Sequence, residues 1–119
     1  MTPEPARETP ARVRPWLCGT IVVLDLAGTM AGPGATLLRQ GLATALARRD
    51  PPFVVLDATR AGAFDADGLV LIASAGRHAR EAGGRLLVTG WPESAGPLDG
   101  AEIRPTLEAA LTELARTKL

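Results

Sequence analysis

The sequence predicts an α/β domain whose mixed, mostly parallel sheet has four to five strands joined by crossover helices. Short apolar runs rich in Val, Ile and Leu, typical of buried strands, alternate with longer segments whose apolar residues recur at helical spacing. This alternation is typical of parallel strands connected through helices. With 119 residues, 46% of them hydrophobic, the chain is long enough for one domain with one core.

The charge balance and the cysteine count exclude several classes of protein. Basic and acidic residues number 13 each, so there is no positive field to hold nucleic acid or an anionic membrane. Cys18 is the single cysteine, so the chain forms no internal disulfide. The longest apolar runs are too short to span a bilayer, and the N-terminus lacks the apolar segment of a signal peptide. We therefore expect a cytoplasmic domain that neither binds nucleic acid directly nor inserts into membranes.

The N-terminal part divides into a tail and the first elements of the domain. Residues 1–12 are rich in proline and poor in large apolar side chains, which predicts a disordered tail before a domain at residues 13–119. A short edge strand is predicted at 13–17, because Pro15 cannot donate to a central ladder. Three segments follow: a strand at 20–26, a glycine-rich loop at 28–34 and a helix at 35–49.

The central stretch, residues 53–83, carries the strongest pattern. A buried strand at 53–56 is closed by Asp57, and a turn-like segment is predicted at 58–64. A helix then begins near Asp65 and ends at the glycine pair 83–84. Its apolar stripe is Leu69, Ile72, Ala73, Gly76 and Ala79. Helix starts that follow a strand expose backbone N–H groups, and in open α/β sheets ligands and partners dock there.

The C-terminal part completes the predicted sheet. A strand is expected at 85–89, followed by a segment at 91–100 whose prolines and glycines leave room for at most one short helical turn. A short strand at 101–104 and a helix at 106–115 end the domain.

The order of these elements and four short motifs resemble the STAS domain of bacterial anti-sigma factor antagonists. The motifs are VVLDLAG in the second strand, FVVLDAT in the third, DADGL at the second helix and GGRLLV at the fourth strand. The resemblance covers about residues 13–117. It implies the STAS fold and a non-catalytic regulatory protein that needs no cofactor and no metal.

The resemblance also implies where a partner would bind. The expected surface combines the second helix start with the loop after the second strand: Asp65, Ala66, Asp67, Gly68 and Leu69 with Thr29, Met30 and Ala31. The implied partner is an anti-sigma factor of the histidine-kinase-like ATPase type, whose binding would release a sigma factor. The oligomeric state is left open.

The chain departs from the family pattern at four positions of the expected partner surface and at Gly96 and Pro97, which compromise the family's short third helix. The position of the serine that the partner kinase phosphorylates is Asp67, and the serine before it is replaced by Ala66. The acids of the earlier loop are replaced by Thr29 and Ala31. We therefore expect Asp67 to supply a fixed charge in place of a phosphorylation switch.

Three other interpretations of the acidic segment stay open. Asp65 and Asp67 suit a purely structural role, since Asp is a preferred N-cap and acids in the first turn interact favourably with the helix dipole. An accessory STAS subunit of an ABC transporter ATPase would have the same fold. A haloacid-dehalogenase-like phosphatase would use Asp65 as nucleophile and Asp67 as general acid. Two features of the sequence argue against a phosphatase. In those enzymes the motif directly follows a strand, whereas here the turn-like segment 58–64 precedes it, and the chain's one lysine is the distant Lys118.

Metal binding has little support in the sequence. One histidine and one cysteine in distant elements form no ligand cluster. Asp57, Asp65 and Asp67 offer oxygen ligands of the kind used by phospho-receiver domains, but these also need a lysine after a later strand, where Val88, Thr89 and Gly90 stand here.

Overall fold

The computed structural model describes residues 10–117, apart from the side chain of Ser94. It contains five strands, three α-helices and one short 3₁₀ helix. In chain order they are β1 (Arg12–Cys18), β2 (Ile21–Met30), α1 (Pro33–Arg48), β3 (Phe53–Phe64), α2 (Ala66–Glu81), β4 (Arg85–Thr89), the 3₁₀ helix (Glu93–Ala95), β5 (Glu102–Arg104) and α3 (Leu107–Thr117).

The five strands form one mixed sheet in the order β1-β2-β3-β4-β5. β1 is antiparallel to β2, and β2, β3, β4 and β5 run parallel to one another. The predicted fold class is therefore confirmed. β1 lies at the edge, as the proline at position 15 predicts, because a residue without a backbone N–H weakens an interior ladder.

The helices cover both faces of the sheet. Alternate residues of β3 separate the two sides: Val54 and Leu56 pack with α1 and α2, whereas Phe53 and Val55 pack with α3. This pattern explains why the β3 run is continuously apolar rather than alternating, because both of its faces are buried. The core thus has two layers, one on each side of β2, β3 and β4.

The predicted phase of α2 is confirmed. Ile72 is 0% exposed and belongs to the core on the α1 and α2 side. On α1, a Cβ at Gly41 would lie 2.7 Å from Cγ1 of Val13. The missing side chain lets α1 approach β1 closely.

β2 and β3 are longer than predicted. β2 continues to Met30 and β3 to Phe64, where the sequence predicts a loop at 28–34 and a turn at 58–64. The two extensions pair with each other, with Ala27 opposite Arg60, and two register shifts interrupt the ladder. Their small and polar residues carry little strand signal, so mutual backbone hydrogen bonding, rather than side-chain pattern, maintains the strands here.

The N-terminal boundary of the fold lies earlier than residue 13. β1 begins at Arg12, which pairs with Ala27, and Ala11 packs against the core. Pro10 is exposed, and residues 1–9 of the predicted tail lie outside the described residues. The segment at 91–100 contains the single short helical turn expected of it.

An ionic network attaches α3 to the far edge of the sheet. Arg85 on β4 donates to both carboxylate oxygens of Glu102 on β5, at 2.9 and 2.6 Å, and also to Glu113 on α3. Arg104 donates to the Glu113 oxygens at 2.6 and 2.7 Å. Hydrogen bonds from Arg104 and Arg85 lower the pKa of Glu113 from 4.5 to about 2.

Across residues 10–117, no helix has the length and apolar character needed to cross a bilayer.

Candidate functional site

The start of α2 is built around the side chain of Asp65. Asp65 occupies the N-cap position with an extended backbone, and its Oδ1 accepts a hydrogen bond of 2.7 Å from the Gly68 N–H. A cap of this kind typically stabilises a helix by about 0.5–2 kcal/mol. The structural role proposed for Asp65 is therefore present, and one of its carboxylate oxygens is engaged inside the protein.

The long β2 and β3 bring the two predicted parts of the site together. Met30, the last residue of β2, pairs with Phe64, the last residue of β3. The carbonyl oxygen of Met30 also accepts a long hydrogen bond, 3.5 Å, from the N–H of Asp65. Thr29 and Ala31, which flank Met30, therefore lie beside the start of α2.

The predicted site residues differ in exposure. Ala66 and Asp67 are exposed, whereas Asp65, Leu69, Thr29 and Ala31 are half-buried. Leu69 also packs against the core.

Met30 and Gly68, by contrast, offer no side-chain surface to a partner. Met30 is 0% exposed, because it continues the inward alternation of Leu24 and Leu26 along β2. Gly68 is buried, and a Cβ there would lie 2.9 Å from the Met30 carbonyl oxygen. The prediction that Met30 and Gly68 bind the partner therefore cannot rest on their side chains.

Val70 was not among the predicted site residues. It is 65% exposed and lies one turn after Asp67 on α2. The sequence holds the signal, since Val70 is a large apolar residue outside the apolar stripe of the helix. We define the helix-start surface as Ala66, Asp67 and Val70 together with Thr29 and Ala31.

A second polar cluster lies on the α3 side of the sheet, where the middle of β3 pairs with the carboxyl end of β4. Oδ1 of Asp57 accepts hydrogen bonds from the Thr59 N–H at 3.1 Å, the Thr59 hydroxyl at 2.6 Å and the Thr89 hydroxyl at 3.3 Å. Asp57 therefore does not close the strand but is held by hydroxyl groups of its own and the neighbouring strand.

Asp25 pairs in register with Asp57 on the adjacent strand. It lies within β2, and its side chain is only 20% exposed. Its Oδ2 pairs with the Arg60 guanidinium. The register shift between Asp57 and Arg60 explains this pair, because the extra β3 residue displaces Arg60 along the ladder.

The acidic residues considered for chemistry are not gathered in one place. Asp57 belongs to the threonine cluster, Asp65 caps α2, and Asp67 is exposed. Among residues 10–117, no three His, Cys, Asp or Glu side chains lie close enough to hold a metal ion. One argument against a phosphatase is corrected, since the extended β3 leads directly into Asp65. Lys118 lies outside the described residues.

Solved structures, among them two anti-sigma factor antagonists, share this fold. One from Mycobacterium paratuberculosis has a TM-score of 0.77 and 19% identity, over 91% of this chain and 98% of that one. SpoIIAA in its unphosphorylated form has a TM-score of 0.69 and 15% identity, over 88% and 98%. A serine-to-glutamate variant of RsbS from Moorella thermoacetica has a TM-score of 0.69 and 16% identity, over 90% and 97%.

Sequence comparison identifies the family directly. Comparison with curated proteins finds no match for the chain. The family profile described as "Mlab, STAS domain" matches residues 19–116, which is most of the sequence and includes β2, α1, α2, the helix-start surface and all of α3 but its last residue. The chain therefore belongs to the STAS domain family.

Proposed function

We propose that this protein is a non-catalytic regulator that binds a protein partner through the helix-start surface, in the manner of an anti-sigma factor antagonist. The observation that carries the proposal is the exposed pair of Asp67 and Val70 on successive turns of α2. A carboxylate beside an exposed apolar side chain offers a partner both a charge to recognise and a surface to bury.

Asp67 acts in this proposal as a permanent charge. A phosphoserine carries about −1.5 to −2 charges and is well accommodated at a helix N-terminus. Asp67 supplies about half of that charge and has no hydroxyl for a kinase to modify. In the described part of the chain Asp67 forms no ion pair, so its charge is available to a partner.

The partner supported by the family resemblance is an anti-sigma factor of the histidine-kinase-like ATPase type. A partner surface tuned to a neutral serine would be repelled by Asp67, whereas one with an Arg or Lys there would be held constitutively. We favour constitutive binding, because a domain whose fixed charge prevented it from binding any partner would have no evident use. Release of a sigma factor would then depend on the amounts of the proteins rather than on phosphorylation.

Capture from the native host tests the partner. The tagged full chain serves as bait, captured proteins are identified by mass spectrometry, and the purified partner is titrated calorimetrically. We expect an anti-sigma ATPase. Capture of a transporter ATPase instead would contradict this proposal and favour an accessory transporter subunit.

Three variants then test the role of Asp67. Asp67→Asn and Asp67→Ser remove the charge, and both should weaken binding by about 1–2 orders of magnitude if Asp67 meets a cation in a desolvated contact. Glu81→Gln, the same change of charge at the other end of α2, should bind like the parent. Equal binding by all variants, or phosphorylation of the wild-type chain within residues 60–75, would contradict the proposal.

A further inference from the structure

A groove of about 400 Å³ runs between α1 and α2 on the outer side of the helical layer. Its apolar lining comes from Leu42 and Leu46 on α1 and from Leu71 and Ala75 on α2. Leu42 and Ala75 are core residues, and the two leucines at 46 and 71 are half-buried against the core. The groove is therefore an apolar surface that the protein's own packing leaves open.

The polar ends of this groove carry one basic side chain, Arg39, and one histidine, His78. Arg39 on α1 and His78 on α2 line it and are exposed, and none of the described lining residues is acidic. Within residues 10–117 Arg39 forms no ion pair. α1 and α2 both return between parallel strands on the same face, so they run in the same direction. Arg39 precedes the leucines of α1 and His78 follows Leu71 on α2, so the two mark opposite ends of the groove.

The groove is continuous with the helix-start surface. Asp67, Leu71, Ser74 and His78 follow at helical spacings of four, three and four residues and thus share one stripe of α2. From Asp67 to His78 the stripe is roughly 16 Å long at 1.5 Å per residue, which is about three helical turns. A segment bound along this stripe, followed from the start of α2 to its end, would first contact the Asp67 carboxylate, then Arg39, then the leucines, and finally His78.

We propose that this groove receives an amphipathic helix of the protein partner. The helix would place an apolar stripe on Leu42, Leu46 and Leu71, with Asp or Glu residues opposite Arg39 and His78. Helix-in-groove binding uses anchors spaced by three and four residues, and a groove between two helices that is about two turns long, or about three with the start of α2 included, suits it. A fatty acid has one carboxylate and would pair with only one end. The inference rests on the proposed function, because it extends the partner's contact beyond Asp67.

A synthetic peptide tests the groove without the natural partner. The probe is a stapled helix of about three to four turns, with leucines at three- and four-residue spacing, glutamates beside them and no basic residue. It is titrated into the ¹⁵N-labelled full chain. We expect saturable shifts of the amide signals of Ala43, Leu46, Leu71 and Ser74. A matched peptide with lysine in place of glutamate should bind at least about five-fold more weakly.

Charge variants locate the contact. Arg39→Glu should weaken binding of the glutamate peptide by about five-fold or more, and Arg39→Gln by less. Arg48→Glu is the control: it makes the same charge reversal on the side of α1 that faces β1, and this variant should bind the glutamate peptide like the parent. Unchanged thermal unfolding of the variants shows that the fold is kept.

Three results would overturn the inference: equal binding of both peptides, tighter binding of octanoate than of the glutamate peptide, and shifts at the groove that depend on protein concentration without peptide. The last would assign the groove to a second copy of the chain. The peptide has no residue that would contact Asp67. If the peptide does not bind, the proposal for Asp67 is therefore unaffected, and if the Asp67 variants bind the partner like the parent, the proposal for the groove is unaffected.

Discussion

Gly76 on α2 lies against Gly100 in the loop before β5, so close that a Cβ at position 76 would be 2.0 Å from the Gly100 carbonyl oxygen. Gly100 has a φ of +83°, and a Cβ there would lie 2.4 Å from the Ala73 carbonyl oxygen. Neither position accepts a side chain unless backbone moves. The two glycines thus allow the loop that leads to β5 to pack directly on α2.

Replacement of Gly76 should therefore destabilise the domain. In an unobstructed helix Gly→Ala stabilises by about 1 kcal/mol. In Gly76→Ala the new methyl group meets backbone oxygen, and overpacking of this kind typically costs about 1–3 kcal/mol. Urea unfolding should give a lower midpoint than for Gly41→Ala, whose methyl group meets the side-chain tip of Val13 at 2.7 Å. A more stable Gly76→Ala variant would contradict the packing of the loop on α2.

Truncation should destabilise the protein strongly at Ile72 and hardly at all at Val70. Ile72→Ala removes a fully buried side chain and should cost about 2–5 kcal/mol. Val70→Ala, two residues away on the same helix, should change stability by no more than about 0.5 kcal/mol because Val70 is exposed. The free energies of unfolding are measured in urea, and similar values for the two variants would contradict the burial described for α2.

The N-cap of α2 gives a test of structure separate from binding. Asp65→Ala removes the acceptor of the Gly68 N–H and should cost about 0.5–2 kcal/mol, whereas Asp65→Asn keeps an acceptor and should cost less. Both are measured by thermal unfolding with the parent as reference. If Asp65→Asn were as unstable as Asp65→Ala, the capping hydrogen bond would not be what stabilises the helix start.

Acid should weaken the attachment of α3 to the sheet. Because the pKa of Glu113 is lowered from 4.5 to about 2 in the folded protein, its contribution to stability is complete above pH 4.5. That contribution is lost as the pH falls from 4.5 toward 2, where the folded state also takes up the proton.

The matched pair of variants is Glu113→Gln and Glu108→Gln on the same helix. Glu113→Gln should be less stable than the parent at pH 7, and this difference should shrink as the pH approaches 2. Glu108 lies outside the network, so its variant should follow the parent's pH profile more closely. A constant difference between Glu113→Gln and the parent from pH 7 to pH 2 would contradict the described network.

The sequence by itself determined the order of the elements, the parallel character of the sheet, the edge position of β1 and the phase of α2. These follow from local signals that act within a few residues: apolar runs in strands, helical spacing of Leu69 and Ile72, Pro15 in β1 and the glycine pair after α2. The N-cap role of Asp65 was also predictable, because a cap is a contact between residues three positions apart.

Only the tertiary structure decided the ends of β2 and β3 and the accessibility of the site. The extensions at 27–30 and 58–64 are stabilised by pairing with each other, an interaction between residues distant in sequence that leaves no local pattern. The same pairing buries Met30 and brings its carbonyl oxygen to Asp65 and Gly68. The groove likewise exists only where α1 and α2 meet, because its lining is shared between two helices that the chain brings together across β3.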